Sequence, residues 1–347
     1  MADPRGEEEG ALCELRRHPE QDAHTGSEED DCEEDNAGDY ERRQVLHLHQ
    51  APYEEGILIL TDRSLLALTK RALEEAGIRP SKSHGQNYVV DPALIKCLLD
   101  SAAISGNETV LEIGPGIGTL TEEISKRARK VIAVESDPAS ARYLSEKFSG
   151  SNVEVIQADI LRINLPEVDK VVSNLPYSIS TPITFKLLSD RGFRLGAFTF
   201  QKEVADRLRA KPSDPDYSRL SVAVSLLAEV KAVADFPPES FYPAPSVNST
   251  VVTIKKTKAP NLAEWKALDA TLKFLFSQRR RTLRKALETF SKSMGMDRAL
   301  LEAMIGVGMI EKRVFELSPG DFLEISRAFS RLGAGGIEDK GARDTGL

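Results

Sequence analysis

Short runs of β-branched and apolar residues alternate, between residues 105 and 255, with stretches whose apolar residues recur at helical spacing. Strands separated by helices are typical of a mostly parallel sheet with helices on both faces. The pattern therefore predicts a doubly wound α/β domain. Its predicted strands are Thr109–Ile113, Lys130–Glu135, Val153–Gln157, Lys170–Ser173, Gly196–Phe200, Lys231–Phe236 and Ser249–Ile254.

The predicted sheet domain covers residues 45–254 and includes an N-terminal helical extension over residues 58–104. In that extension, the spacing of Leu65, Leu66 and Leu68 predicts a helix that ends at Gly77 and packs on the sheet.

Residues 261–332 show only helical periodicity, as in the segment Leu283–Phe290. This periodicity predicts a small all-helical C-terminal domain after the sheet. Glycine and proline interrupt helices, so they mark the expected breaks. These are Gly295, Gly306, Gly308 and Pro319-Gly320.

Charge is divided unevenly along the 347 residues. Residues 1–44 hold 16 acidic and 5 basic side chains and almost no aliphatic ones, which predicts a disordered acidic tail. Residues 333–347, rich in glycine and charge, are predicted to be a flexible tail. Residues 255–300 hold 12 basic and 4 acidic side chains, which indicates an anionic partner such as a nucleic acid.

Cysteine usage and hydropathy exclude several classes of protein. Three cysteines, Cys13, Cys32 and Cys97, are too few for a disulfide framework in so long a chain, so we expect a reducing, cytoplasmic compartment. Neither a C-x-x-C pair nor a histidine cluster is present, so no metal site is expected. No apolar run approaches the ~20 residues of a membrane span, so no membrane partner is expected.

A glycine-rich turn follows the first predicted strand, in the sequence Gly114-Pro115-Gly116-Ile117-Gly118. Glycines allow the backbone to approach a ligand closely, and the helix that follows offers unpaired N–H groups. A tight turn without a ligand has the same pattern. The carboxylates of Glu135 and Asp159 follow the next two strands, where they can accept hydrogen bonds from ribose hydroxyls and from an adenine amine.

This arrangement suits NAD or S-adenosylmethionine equally well on geometry alone. The third glycine of G-x-G-x-x-G, which lets a helix approach a pyrophosphate, is missing. A sulfonium cofactor has no phosphate to seat, so the sequence favours S-adenosylmethionine.

The sequence Asn174-Leu175-Pro176-Tyr177 ends the fourth strand. The asparagine oxygen and a main-chain carbonyl can accept from a planar amine, the proline fixes the backbone, and the tyrosine can stack on a base. The cluster therefore predicts chemistry on an exocyclic amine. A turn with a buried tyrosine is the structural alternative.

Eight ordered motifs together point to one family. They are Gly85-Gln86-Asn87-Tyr88, Leu111–Gly118, Glu135-Ser136-Asp137, Ala158-Asp159, Asn174–Ser180, Gln201–Leu208, Phe241–Ser249 and Arg279–Leu287. From Ser81 to Leu332 the chain resembles the ribosomal RNA adenine dimethyltransferases, which modify two adjacent adenines near the 3' end of small-subunit RNA. It looks like their archaeal form, with a Rossmann-like methyltransferase sheet.

The resemblance implies roles for individual residues. Asn174 would lie nearest the transferring methyl, and Tyr177 and Phe241 would sandwich the target adenine. Leu175 and Pro176 complete the catalytic turn. The residues predicted to bind S-adenosylmethionine are Gln86, Asn87, Tyr88, Gly114, Gly116, Glu135, Asp159, Ile160 and Asn174.

A basic run lies at the predicted start of a helix, with no carboxylate beside it in the chain. The residues expected to bind RNA phosphates are Arg279, Arg280, Arg281, Arg284 and Lys285. A solvated helix face is the alternative.

The leading hypothesis is a monomeric enzyme that dimethylates adenines in the RNA of immature small ribosomal subunits. A large-subunit RNA methyltransferase and a ribosome-assembly factor are the alternatives. A nicotinamide dehydrogenase fits less well, because neither the third glycine nor a hydride-handling acid or base appears.

Overall fold

A computed structural model describes residues 62–80, 85–190, 192–257, 261–295 and 297–332. The predicted tails, residues 1–44 and 333–347, lie outside the described residues, as does the first part of the helical extension.

The strands of the structure are β1 (Tyr88–Val89), β2 (Thr109–Ile113), β3 (Lys130–Glu135), β4 (Val153–Gln157), β5 (Lys170–Asn174), β6 (Leu195–Gln201), β7 (Ala228–Phe236), β8 (Phe241–Tyr242) and β9 (Ser249–Lys256). The helices are α1 (Asp62–Glu75), α2 (Pro92–Ala102), α3 (Thr119–Ser125), α4 (Pro138–Lys147), α5 (Ser180–Ser189), α6 (Lys202–Arg209), α7 (Arg219–Leu227), α8 (Leu262–Phe276), α9 (Leu283–Met294), α10 (Arg298–Met304), α11 (Val307–Ile310) and α12 (Pro319–Arg331).

Seven strands form one sheet in the order β4-β3-β2-β5-β6-β9-β7. Strands β2 to β6 pair in parallel. At one side of the sheet, β9 pairs antiparallel with β6, and the edge strand β7 pairs antiparallel with β9. Each of the seven predicted strands is present, with up to three residues added at an end, and the predicted doubly wound fold is confirmed. The carboxyl ends of the parallel strands meet at one edge, which is where ligands bind in sheets of this kind.

The interior strand β2 is buried along its whole length, because helices cover both faces of the sheet. Alternate residues of the strand enter opposite cores. Val110 belongs to the apolar cluster that contains Leu94 of α2, whereas Leu111 belongs to the cluster that contains Ile183 of α5. Burial on both faces explains why the sequences of these strands are nearly continuous runs of apolar residues.

A second, two-stranded sheet was not predicted. It pairs β1 with β8, so that Tyr88 lies opposite Tyr242 and Val89 opposite Phe241. Helix α1 packs behind it, since Leu73 and Ile78 cluster with Tyr88. The pairing brings the Gly85–Tyr88 turn to the carboxyl edge of the large sheet.

The C-terminal helices pack directly on the sheet domain and share its apolar core. The Tyr217 hydroxyl donates to the Leu317 carbonyl at 2.9 Å, and the Tyr217 ring contacts the edge of Phe276 in α8 at 5.9 Å between ring centroids. Because the two parts share one core, the structure does not test whether they are separate domains, and the predicted division at residues 254 and 261 stays a prediction.

Two expected helix breaks are wrong. Gly308 lies within α11, and Gly320 lies in the first turn of α12, whose first residue is Pro319. Proline at the first helical position starts a helix, because its missing N–H has no partner there in any case. Gly295 does end α9, in the left-handed conformation at φ 65°.

Candidate active site

A cavity of about 460 Å³ lies at the carboxyl edge of the parallel strands. Each residue predicted to bind S-adenosylmethionine lines it: Gln86, Asn87, Tyr88, Gly114, Gly116, Glu135, Asp159, Ile160 and Asn174. Residues from five separate segments of the chain therefore converge on one site.

The glycine-rich turn is shaped by its protein neighbours as well as by any ligand. Gly114 and Gly116 are left-handed, at φ 68° and 63°. A Cβ on Gly116 would lie 2.7 Å from Cε1 of Tyr88, and one on Gly114 would lie 3.0 Å from Cγ of Pro176. Glycine is required at both positions because the glycine-rich turn packs against Pro176 on one side and against Tyr88 on the other.

Glu135 is buried at the end of β3, where two main-chain amides hold its carboxylate. Oε2 accepts from the Gly116 N–H at 3.1 Å and Oε1 from the Asp137 N–H at 2.8 Å. Burial raises the pKa of Glu135 above its ordinary value, and these amides oppose that shift. Each oxygen can accept a second hydrogen bond, which is what the two hydroxyls of a ribose require.

Asp159 and Ile160 line the far end of the cavity, beyond β4. The Asp159 side chain is exposed, and its Oδ1 accepts from the Leu161 N–H at 2.9 Å. Ile160 is buried and adds an apolar wall. A carboxylate beside an apolar wall fits an adenine, which has a polar edge and an apolar face.

Asn174 has its amide orientation fixed by the Gly85–Tyr88 turn. Its Nδ2 donates to the Asn87 carbonyl at 2.7 Å. Its Oδ1 is buried and accepts no hydrogen bond from any residue that the structure describes. A buried polar atom without a partner costs free energy, so this oxygen is an acceptor prepared for a donor that enters the cavity.

The three residues after Asn174, Leu175 to Tyr177, form the turn that the sequence predicted to be catalytic. Leu175 is buried, so only its main chain can reach a ligand, and Pro176 is half-buried. Tyr177 is also half-buried rather than fully exposed, and its hydroxyl forms a 2.5 Å hydrogen bond with that of Ser249.

Phe241 does not present an open face in this structure. It is 3% exposed and belongs to an apolar cluster with Val89, Phe236 and Val251, because β8 pairs with β1 against the sheet. Phe241 is not among the residues that line the cavity. A stacking role for Phe241 stays a prediction that requires its ring to move.

Glu112 is a cavity residue that the sequence interpretation missed. It lies in the middle of β2, is 2% exposed, and its Oε2 has no hydrogen-bond partner within the described part of the chain. Burial raises the pKa of Glu112 to about 8. The sequence feature that could have indicated this residue is a single carboxylate inside an otherwise apolar strand, Val110-Leu111-Glu112-Ile113.

The basic run forms the turn before α9 and the first residues of that helix. Arg279 donates to the main-chain carbonyls of Asp214, Pro215 and Tyr217. Arg284 pairs with Glu311 and lies 3.7 Å from Glu302. No carboxylate stands beside the run in the sequence, but folding brings two acidic residues to Arg284.

The remaining cations are exposed, and Arg313 joins them through an isolated bridge between Thr282 and Arg313. Arg280 and Arg313 line a second cavity of about 380 Å³. We call Arg280, Arg281, Lys285 and Arg313 the basic surface. None of the four forms an ion pair with a residue that the structure describes.

Within the same described ranges, no helix is long and apolar enough to cross a membrane. Nor does any group of three or more acidic, histidine or cysteine side chains there have the geometry of a metal site.

Known proteins share this architecture. Residues 78–330 match the sequence model of the family described as "Ribosomal RNA adenine dimethylase". A relative from Methanothermobacter thermautotrophicus, named "Probable ribosomal RNA small subunit methyltransferase A", is 43% identical over 268 residues, which cover 76% of this chain and 96% of the relative. A protein of the same name from Methanosphaera stadtmanae is 41% identical over 265 residues, which cover 74% and 96%.

Two solved structures are also similar. A dimethyladenosine transferase from Plasmodium falciparum has a TM-score of 0.62 and 29% identity, and the match covers 71% of this chain and 98% of that one. The 23S rRNA methyltransferase ErmE has a TM-score of 0.51 and 28% identity, and the match covers 70% and 100%. The chain belongs to the ribosomal RNA adenine dimethylase family.

Proposed function

We propose that this protein transfers two methyl groups from S-adenosylmethionine to the exocyclic amine of each of two adjacent adenines near the 3' end of small-subunit ribosomal RNA. The buried Oδ1 of Asn174, which has no hydrogen-bond partner among the described residues, is the observation that carries the proposal. It is a hydrogen-bond acceptor at the edge of the cofactor cavity, which is what an amine substrate requires.

The residues present fit the cofactor. Glu135 would hold the ribose, Asp159 and Ile160 the adenine, and Gly114 would lie beside the methionine part. When bound, S-adenosylmethionine supplies a methyl group on a sulfonium, so the leaving group is neutral.

The chain's own residues prepare the adenine amine for attack. Its lone pair is conjugated into the ring, which makes it a poor nucleophile. Hydrogen bonds from its two N–H groups to Asn174 Oδ1 and the Leu175 carbonyl would favour a pyramidal nitrogen whose lone pair faces the methyl. The amine becomes positively charged and then loses a proton to water, so no strong general base is needed. The Tyr177 ring would stack on the base and stabilise that charge.

The RNA would bind through its phosphates on the basic surface, because these cations are exposed and have no ion-pair partner in the described ranges. Arg284 contributes less in this proposal because its charge is paired with Glu311. Arg279 contributes less because its guanidinium group donates to three main-chain carbonyls. Immature small subunits are the proposed partner, and we propose that the enzyme acts on them as a monomer in the cytoplasm.

A large-subunit RNA target is the second candidate, favoured by the similarity to ErmE. The names of the relatives with about 40% identity favour the small subunit instead. A ribosome-assembly factor that binds subunits without methylating them is a third possibility, but it would have no use for a prepared amine acceptor.

The test is to incubate the purified protein and labelled S-adenosylmethionine with undermethylated small subunits and, separately, with large-subunit RNA. We expect dimethyladenosine only in the small-subunit reaction, as measured by nucleoside analysis. Label in large-subunit RNA would support the second candidate. Subunit binding without label would support the assembly factor.

A further inference from the structure

Ser249 is a buried residue to which the proposed reaction gives no role. We infer that Ser249 is a positioning residue that anchors the Tyr177 ring through its hydroxyl, and that this anchor matters more for the second methyl transfer than for the first. The inference rests on the proposed function and extends it to product specificity.

The anchor joins a turn to the interior of the large sheet. Tyr177 begins the short turn Tyr177–Ile179 after β5, and Ser249 is the first residue of β9. The two hydroxyl oxygens are 2.5 Å apart. Ser249 is 0% exposed, and its position is fixed by strands on both sides, opposite Gln201 of β6 and Phe236 of β7.

The position of Ser249 restricts how the Tyr177 ring can move. The Cβ and the hydroxyl of a tyrosine lie at opposite ends of the ring's long axis. With Cβ held by the turn and the hydroxyl held by Ser249, the ring cannot swing away as a whole. The turn is packed tightly as well, since a Cβ on Gly85 would lie 3.1 Å from the Tyr177 nitrogen.

The two methyl transfers place different demands on this ring. Before the first transfer, the amine has two N–H groups for its two acceptors, Asn174 Oδ1 and the Leu175 carbonyl. Each transfer forms one N–C bond, breaks one C–S bond and releases one proton. The monomethylated amine therefore has a single N–H, and one acceptor loses its partner.

Stacking must then carry a larger share of the positioning in the second step. A ring that is free to swing would weaken that stacking. Loss of the anchor should accordingly slow the second transfer more than the first, and monomethyladenosine should accumulate.

The test is single-turnover methylation of undermethylated small subunits, with both products quantified by mass spectrometry. In Ser249→Ala we expect the ratio of the second to the first rate constant to fall about three- to tenfold, the loss that one hydrogen bond accounts for. Tyr177→Phe removes the same hydrogen bond from the other side and keeps the ring, so it should lower the ratio equally. The double variant should be no worse than either single variant.

Ser180→Ala is the matched control. Ser180 is also a buried serine, it begins α5 directly after the same turn, and its hydroxyl has no hydrogen-bond partner in the described segments. We expect the wild-type product ratio. Tyr177→Phe keeps the test decisive if Ser249→Ala fails to fold.

A wild-type ratio in both Ser249→Ala and Tyr177→Phe, or additive losses in the double variant, would overturn the inference while leaving the proposed function intact. If the wild-type protein produced no dimethyladenosine, the proposed function would fail and the inference with it.

Discussion

The side chains at the carboxyl edge of the sheet and those of the basic surface differ in how firmly the rest of the protein fixes them. At the sheet edge, short side chains are fixed by main-chain groups: Glu135 by two amides and Asn174 by the Asn87 carbonyl. On the basic surface, long exposed side chains have no ion-pair partner in the described ranges. The first arrangement favours precise chemistry, since little is left to move. The second favours salt-dependent attraction to phosphates that carries little information about sequence.

The substitution with the largest expected effect is Asn174→Ala at the sheet edge. Loss of a prepared hydrogen-bonding group at a reacting centre typically costs about 100- to 1000-fold in rate. We expect a loss of that size in single-turnover methyl transfer at saturating S-adenosylmethionine, a condition under which weaker cofactor binding does not contribute to the rate.

Asn174→Asp sharpens this test. It keeps an oxygen acceptor but places a second oxygen against the Asn87 carbonyl, where Nδ2 now donates at 2.7 Å. We expect it to be about as inactive as Asn174→Ala. A wild-type rate in either variant would mean that this edge is not the reacting centre.

Gly116→Ala should impair cofactor binding. Alanine in the left-handed region costs about 1 kcal/mol or more, and here its Cβ would also lie 2.7 Å from the Tyr88 ring. Displacement of Tyr88 should weaken S-adenosylmethionine binding about tenfold or more, equivalent to 1.4 kcal/mol or more. Isothermal titration calorimetry measures this directly.

Gly150→Ala is the control for backbone strain. Gly150 is also left-handed, at φ 76°, but a Cβ there would meet nothing within 4 Å. It should lower the free energy of unfolding without changing cofactor affinity. Equal losses of affinity in the two variants would show that strain, not the contact with Tyr88, sets the effect.

Arg280→Ala and Arg284→Ala test the basic surface. Arg280 is exposed and forms no ion pair in the described ranges, whereas Arg284 pairs with Glu311. Loss of one phosphate contact should lower the slope of log K against log salt by about 1. We expect that change in Arg280→Ala and a smaller one in Arg284→Ala, from filter binding at several salt concentrations. An equal change of slope in both variants would mean that the ion pair with Glu311 does not keep Arg284 from binding phosphate.

The sheet edge was largely predictable from sequence, and the basic surface was not. The strands and glycine turns leave a local periodicity, and the ends of parallel strands must meet, so the residues around Glu135, Asp159 and Asn174 could be placed together. Neither local periodicity nor strand order determines which distant residue a long side chain will contact. Arg279 binds carbonyls about 60 residues away, and Arg284 meets Glu311 only once α9 to α11 have packed.

The burial of Phe241 could not be predicted either. It follows from the two-residue strands β1 and β8, which are too short to show a period. Glu112 was overlooked for a different reason: an apolar strand tolerates one carboxyl group if that group is neutral, and the sequence does not show its protonation state.

The last expected effect concerns that carboxyl group and appears in stability rather than activity. Burial raises the pKa of Glu112 from an ordinary value of 4.5 to about 8, so between these values the folded chain holds a proton that the unfolded chain releases. The free energy of unfolding should therefore fall as the pH rises through this window, by up to about 1.4 kcal/mol per pH unit from this group. Glu112→Gln, which is neutral at every pH, should remove that slope in urea unfolding between pH 5.5 and pH 7.5.

Glu108 is the matched control, because it is also buried but pairs with Lys170 at 2.9 Å. Burial alone would raise the pKa of Glu108, but hydrogen bonds from Ser105 and the Lys170 ammonium lower it below its usual value. Its contribution to stability is present above the unfolded pKa and is lost only as the pH falls through the lower folded value. Glu108→Gln should therefore leave the slope between pH 5.5 and pH 7.5 unchanged. If Glu112→Gln also left that slope unchanged, Glu112 would be ionised in the folded protein, and the sheet edge would carry one more negative charge than we infer.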